Sequence, residues 1–296
     1  MRFNKYVTGT IAGLTAIALS GCGLTIHFEP VETGPVQSET IRVPRPEASA
    51  DAARKDVWDV ELSPGVGTVQ ISPGGANLIE GVINYNVAAL KPEVSVGSRS
   101  VRVRQGNMRG SVTFGRQVVN DWRIQLGKGV PMNLTLQTGA TKGVYDLGGL
   151  SLRSAVFNLG ATETIVDFSQ PNPTALDALT VNGGAASVTL NGLGNLNIRR
   201  GTISAGAGEF KLRFDGDLRT DAEIDVKGGV SSIEINSGGN PVQVIFSSRV
   251  LTGIDAGNWD RNGQTYSSPE VARSAGPRIT VRVEMGIGSV RLVTGG

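Results

Sequence analysis

Only one histidine and one cysteine occur among the 296 residues of this chain. They are Cys22 and His27, close together near the N-terminus, so neither a Cys–His nucleophile system nor a Cys/His zinc site can be assembled from the rest of the chain. A lone cysteine also excludes a disulfide framework. Aromatic residues make up only 5% of the chain, whereas 41 glycines are spread among Val, Leu, Ile, Asn and Ser with no collagen period, which points away from a helical protein. No long segment carries a helical period; the one exception, Ser268 to Ala275, suits a turn or two of helix. Gly-rich stretches are frequent, yet none ends in Gly-Lys-Ser/Thr ahead of a helix, so a phosphate-cradling loop is excluded.

What is present begins at the N-terminus. Arg2 and Lys5 precede a mostly apolar run, Val7 to Leu19, and small residues follow in Leu19-Ser20-Gly21-Cys22. A charged start, a short apolar stretch and a small-residue exit mark an export signal, and the run is too short to span a bilayer comfortably. Leu-Ser-Gly-Cys resembles the lipobox of bacterial lipoproteins, which implies that residues 1–21 are a signal peptide and that Cys22 is the diacylated first residue of the mature protein. Two acyl chains give durable anchoring where one does not, so the expected partner at this end is the membrane. Processing also changes the charge. The full chain has 28 Lys+Arg and 26 Asp+Glu, and loss of Arg2 and Lys5 leaves a formally neutral protein, so bulk charge gives no nucleic-acid partner. Residues 22–56 are rich in Pro, Glu, Ser, Thr and Ala and read as a mostly disordered stalk, with a reach of roughly 30 Å as a flexible coil. The only histidine falls in this stalk and is assigned no ligand or base role.

From Val57 onward, short β patterns alternate with Gly-rich turns, as in Val101-Arg102-Val103-Arg104 and Ile233-Glu234-Ile235. The turns repeat. Gly139-Ala140-Thr141, Gly160-Ala161-Thr162, Gly183-Gly184-Ala185, Gly206-Ala207-Gly208 and Gly228-Gly229-Val230 each precede a strand, at intervals of 21, 23, 23 and 22 residues. Gly286-Ile287-Gly288 restores the theme after an insertion at 247–277, and Gly65-Val66-Gly67 is an earlier copy. A strand-rich period in the low twenties predicts a β-solenoid over 57–296, with rungs of about 22 residues stacked at ~4.8 Å. Glycines at the corners suit positive φ. Tyr145 and Leu147 are expected to point inward with Val144 and Asp146 outward, and Val166 and Phe168 inward in the next rung. A β-sandwich is the main alternative fold; a leucine-rich repeat lacks its helical side.

Several stretches resemble a known family. Leu78-Ile79-Glu80-Gly81, Val82 to Asn86, Pro92-Glu93-Val94 and Val101-Arg102-Val103 look like the N-terminal toast-rack domain, and the Gly-Ala-Thr rungs look like the β-solenoid of that family and of adhesin-type relatives. Gly257-Asn258-Trp259, Gly263 to Pro269 and Gly286 to Val290 match its closing stretch. The resemblance covers 57–296 and extends to the C-terminal domain of membrane proteins that regulate responses to cell-wall-active antibiotics. It implies a non-enzymatic protein with no catalytic residues and no cofactor, although this chain carries a lipid anchor where those regulators have transmembrane helices.

Four residues are candidates for ligand binding. Arg102 and Arg104 point outward together from one strand and suit anionic headgroups or wall polymers, as does a second basic group of Arg278, Arg282 and Arg291. Trp259 and Tyr266 lie in the 247–277 insertion, which is either a binding loop or an end cap. Asp146 and Asp167 occupy equivalent positions one rung apart, the one pairing of acids that could serve hydrolysis or Ca²⁺. The reading is a lipid-anchored, extracytoplasmic protein of the cell membrane or outer envelope, acting in adhesion, surface display or sensing with a protein or glycan partner. A carbohydrate-active enzyme on a β-helix and a self-polymerising structural subunit are the alternatives.

Overall fold

A computed structural model describes residues 32–47, 57–107, 118–247 and 252–295. In chain order the first strands are β1 (Gln37–Val43), β2 (Trp58–Ser63), β3 (Val66–Pro73), β4 (Ile79–Tyr85), β5 (Glu93–Val96), β6 (Ser100–Arg104) and β7 (Asn120–Leu126). Five long strands follow: β8 (Met132–Asp146), β9 (Leu152–Asp167), β10 (Ala178–Asn191), β11 (Arg200–Arg213) and β12 (Ala222–Asn236). Then come β13 (Val242–Phe246), β14 (Thr252–Asp255), β15 (Asp260–Asn262), β16 (Thr265–Ser267), the short helix α1 (Pro269–Arg273) and β17 (Ile279–Val293). All 17 strands join one sheet, so the fold is an all-β solenoid and the sandwich alternative falls. The one α-helix among the described residues lies inside the stretch expected to hold a helical turn or two.

Each long strand is one rung, bent at its middle. β8, β9, β10, β11, β12 and β17 stack in parallel, and the register carries from rung to rung, apart from one shift between Met132 and Asn133 where β8 meets β9. Period-two alternation then sends the same position inward in every rung. One interior column runs Ile71, Tyr145, Val166, Leu190, Leu212, Ile235 and Leu292, all buried. The inward and outward assignments made above for residues 144–147 and 165–168 hold. Return segments between rungs add Leu150, Leu176, Leu193, Leu196 and Phe214 to the same core.

The corners have a different cause from the one expected. The ladder of corner glycines is Gly65, Gly139, Gly160, Gly184, Gly206, Gly229 and Gly286, so at the two Gly-Gly turns the second glycine is the rung position. None of the seven has positive φ. What forbids a side chain is the neighbouring rung, because a Cβ on each later member would press on the carbonyl oxygen of the glycine before it. At Gly160 that distance would be 2.6 Å, and at Gly229 2.5 Å. Positive φ appears two residues later, at Gly67, Gly208 and Gly288, which also face a neighbouring carbonyl.

Both ends of the stack depart from chain order. At one end, the rung formed by β2 and β3 is covered by the later strands β6 and β7. At the other, the C-terminal strand β17 inserts between β12 and β13. β4 pairs antiparallel with β7, and β1 with β4. Within the span 22–56, read as a mostly disordered stalk, the described residues 32–47 correct that reading. Gln37–Val43 is a strand whose Ile41 and Val43 are buried in the core. Its alternation is short and fits between Pro35 and Pro44, which is why proline-rich composition masked it.

Candidate functional site

The candidate residues are built on rungs, so register decides which of them meet. Glu61 on β2 is opposite Arg102 on β6, and the two arginines of Val101-Arg102-Val103-Arg104 converge on it. Arg102 Nε lies 3.1 Å from one Glu61 oxygen, and Arg104 Nη2 lies 2.8 Å from the other. Both guanidiniums are half exposed, so the pairing itself contributes little stability. Its effect is on charge, since one carboxylate cancels half of the cationic patch. The second basic group is laced with acids in the same way. Arg282 donates to both Glu223 oxygens at 3.2–3.3 Å, which lowers the Glu223 pKa, and Arg291 lies 3.8 Å from Glu234 and 3.9 Å from Asp255. At Arg278 the backbone N–H donates to Asp221.

Trp259 and Tyr266 do not form an open binding loop. They are 5% and 6% exposed, and both belong to the core. The Tyr266 ring meets Phe246 edge-to-face at 5.4 Å, with the Arg261 guanidinium 5.5 Å from its centroid. β16 pairs with β13, and Ser268 Oγ accepts the Val242 N–H, so the insertion is an end cap that seals the last rung.

Asp146 and Asp167 do stack on adjacent rungs, as their spacing implied. Each has a structural task. Asp146 accepts from the Gly148 N–H at 2.9 Å and from Ser169 Oγ at 2.7 Å, while Asp167 accepts from the Asn191 amide. Cys22 and His27 lie outside the described residues. Among the described residues there is no cluster of three or more His, Cys, Asp or Glu side chains, and no helix is long and apolar enough to cross a membrane.

Sequence reasoning missed two polar devices. Asn172, Asn195 and Asn240 clamp the return segments by donating side-chain amides to backbone carbonyls of neighbouring rungs. Their spacing follows the rung period, a signal that was present and unused. Near the first corner, Gln105 Oε1 accepts from Gly65 N, Val66 N and Asn120 Nδ2, and Asn120 in turn accepts from Trp122 Nε1.

The outer faces are what the fold leaves free. On the first halves of the four central rungs, the outward columns are Thr135, Val156, Thr180 and Thr202, flanked by Gln137, Asn158, Asn182 and Ser204. Apart from Val156, these columns carry amides and hydroxyls, and none of the eight residues is charged. A shallow groove of about 440 Å³, lined by Gln70, Ser72, Val82, Asn84 and Arg123 among others, lies on the β3–β7–β4 face.

No curated protein matches the chain. Among solved structures it is similar to a candidate cell adhesion protein from Clostridium sporogenes, at 17% identity over 88% of this chain and 100% of that one, with a TM-score of 0.47. A candidate adhesin from Bacteroides fragilis shares 10% identity over 88% and 97% of the two chains, with a TM-score of 0.37. A candidate lipid-binding protein from Parabacteroides distasonis shares 9% over 89% and 95%, at 0.31. The family described as the N-terminal domain of toast_rack, DUF2154, matches residues 32–191 and 172–236, and these take in β1 and the rungs up to β12. That match covers well over half of the chain, and the protein belongs to the toast-rack family.

Proposed function

We propose that this protein is a lipid-anchored component of the bacterial cell envelope that works by binding, in adhesion, surface display or sensing, and carries out no catalysis. The observation that carries the reading is the solenoid interior, which is filled by apolar side chains from every rung, leaving the regular outer faces as the most extended surfaces that the described residues offer a partner. The acids and arginines considered for chemistry are engaged in turns and inter-rung ion pairs. The lipobox-like Leu19-Ser20-Gly21-Cys22 supports the anchor and an extracytoplasmic location in this reading.

The test is binding of the protein to an array of cell-envelope glycans and to anionic vesicles, with product analysis on each glycan. Saturable binding without turnover is expected. Cleavage of any glycan overturns the reading and makes Asp146 and Asp167 the first residues to replace. Lipidation is checked separately, by incorporation of labelled palmitate into the parent and its absence from Cys22→Ala.

A further inference from the structure

The solenoid core is closed at one end by aromatic residues and is open on one side of the other end. On the β7 side of that open end, β4 and β1 continue the sheet and bury Ile83, Tyr85, Ile41 and Val43. On the β6 side only β5 follows among the described residues. Val94 and Val96 stand opposite Val103 and Val101, which are 0% exposed, so both valines face the core side of the sheet. Yet Val94 is 43% exposed and Val96 is 59% exposed. The apolar interior therefore runs one strand further than its covering.

The backbone of β5 is poised in the same way. The hairpin closes with Gly97 N–H donating to Ser100 C=O at 2.8 Å. Antiparallel alternation then turns the N–H and C=O groups of Glu93, Ser95 and Gly97 toward β6, and those of Val94 and Val96 toward the free edge. Free edge groups and uncovered side chains thus belong to the same two residues. Natural edges are blunted by shortness, charge, proline or a bulge; β5 is four residues long with Pro92 and Glu93 at its start, and its Val94–Val96 stretch carries no charge, proline or bulge.

We propose that β5 is the dimerisation edge of this protein and that its occupant is β5 of a second copy, paired antiparallel about a two-fold axis at Ser95. That register sets Val94 opposite Val96 of the second copy in a hydrogen-bonded pair, and the same pair recurs across the axis. Four valines then cover each other on the core side. On the outer side Glu93 falls opposite Gly97, so no like charges oppose each other. A contact of this type is self-complementary and closes at two copies. It stands apart from the functional reading above, since it concerns one strand edge and requires no ligand.

The test is disulfide trapping in the full-length chain. Ser95 forms a non-hydrogen-bonded pair with itself across the axis, at a Cα separation of about 4.5 Å, inside the ~4.4–6.8 Å range of disulfides. Under mild oxidation, Ser95→Cys is expected to give a covalent dimer at least about tenfold faster than Ser187→Cys, an exposed control on β10. The parent, whose only cysteine is Cys22, gives the background. Adding Val96→Lys to Ser95→Cys is expected to abolish that excess and to shift sedimentation from dimer to monomer, with an unchanged circular dichroism spectrum. Equal trapping at Ser95 and Ser187, a monomeric parent at all concentrations, or a ladder of higher oligomers each overturns the proposal.

Discussion

The glycine ladder makes the most exacting prediction, because the structure grades its members. An alanine Cβ at Gly229 would lie 2.5 Å from the Gly206 carbonyl oxygen, at Gly160 2.6 Å from that of Gly139, and at Gly184 3.2 Å from that of Gly160. Favourable carbon contacts begin at about 3.5 Å. The first two substitutions therefore force adjacent rungs apart against the backbone, while the third needs a shift of a few tenths of an ångström. Overpacking of this kind costs about 1–3 kcal/mol. Alanine also restricts the unfolded chain, which returns ~0.4–1 kcal/mol. The balance is a loss of about 1–2 kcal/mol for Gly229→Ala and Gly160→Ala and roughly none for Gly184→Ala. In a domain of this size that loss lowers Tm by about 2–8 °C. Gly253→Ala is the reference, since nothing lies within 4 Å of its Cβ position. Thermal melts by circular dichroism decide. Gly160 and Gly184 sit in adjacent rungs, so position in the stack cannot separate them. Equal melting of these two variants, or a neutral Gly229→Ala, refutes steric exclusion as the reason for glycine at the corners.

Three further outcomes follow from named contacts. Tyr145 is fully buried with no hydrogen bond to its hydroxyl; burial pushes its pKa above the ordinary value, and the nearby Thr164 and Thr141 hydroxyls, which pull the other way, close no bond of good geometry. Its folded-state pKa exceeds the unfolded one, so its contribution is complete below about pH 10 and lost as pH rises through the folded value. Tyr145→Phe should remove that alkaline loss and leave stability at pH 7 unchanged or raised by up to ~1 kcal/mol, read from urea melts at both pH values. Asn172→Ala should lower stability by about 2–4 kcal/mol, because its buried side chain accepts from Leu152 N and donates to the Leu152 and Thr174 carbonyls; a change under ~1 kcal/mol in a urea melt defeats the clamp assignment. Glu61→Gln should free Arg102 and Arg104 and raise binding to anionic vesicles about fivefold, an increase that disappears at high salt; cosedimentation that does not change shows that this face is turned away from the membrane.

The repeat was legible because it is one-dimensional. Once Tyr145 and Val166 are placed in equivalent positions, register follows for every rung, and so does the division between core and surface. Where two glycines adjoin, as at Gly183-Gly184 and Gly228-Gly229, spacing alone could not say which occupies the ladder, since only contact with the preceding rung distinguishes them. The candidate site residues show the same limit. Alternation correctly turned Arg102 and Arg104 outward together, but Glu61, the group that holds them, is some forty residues away in sequence and becomes their neighbour only through the β2–β6 pairing.

That pairing belongs to the part of the fold that no period can encode. A solenoid whose rungs followed chain order would end in two strands with open edges. Here β6 and β7 fold back beneath β2 and β3, and β17 enters between β12 and β13, so each end rung is covered by a segment distant from it in sequence, while the β5 edge stays uncovered among the described strands. Such end pieces are selected to differ from the repeat, and the properties that made the repeat visible are missing from them. Trp259 and Tyr266 illustrate the consequence, because aromatic residues among polar neighbours look alike in sequence whether they lie over a core or stand open to a ligand. β1 is the second case, as a strand of seven residues between prolines carries too short an alternation to stand out from a linker. β5 is the third, and there the absence of covering, not its presence, is the informative feature.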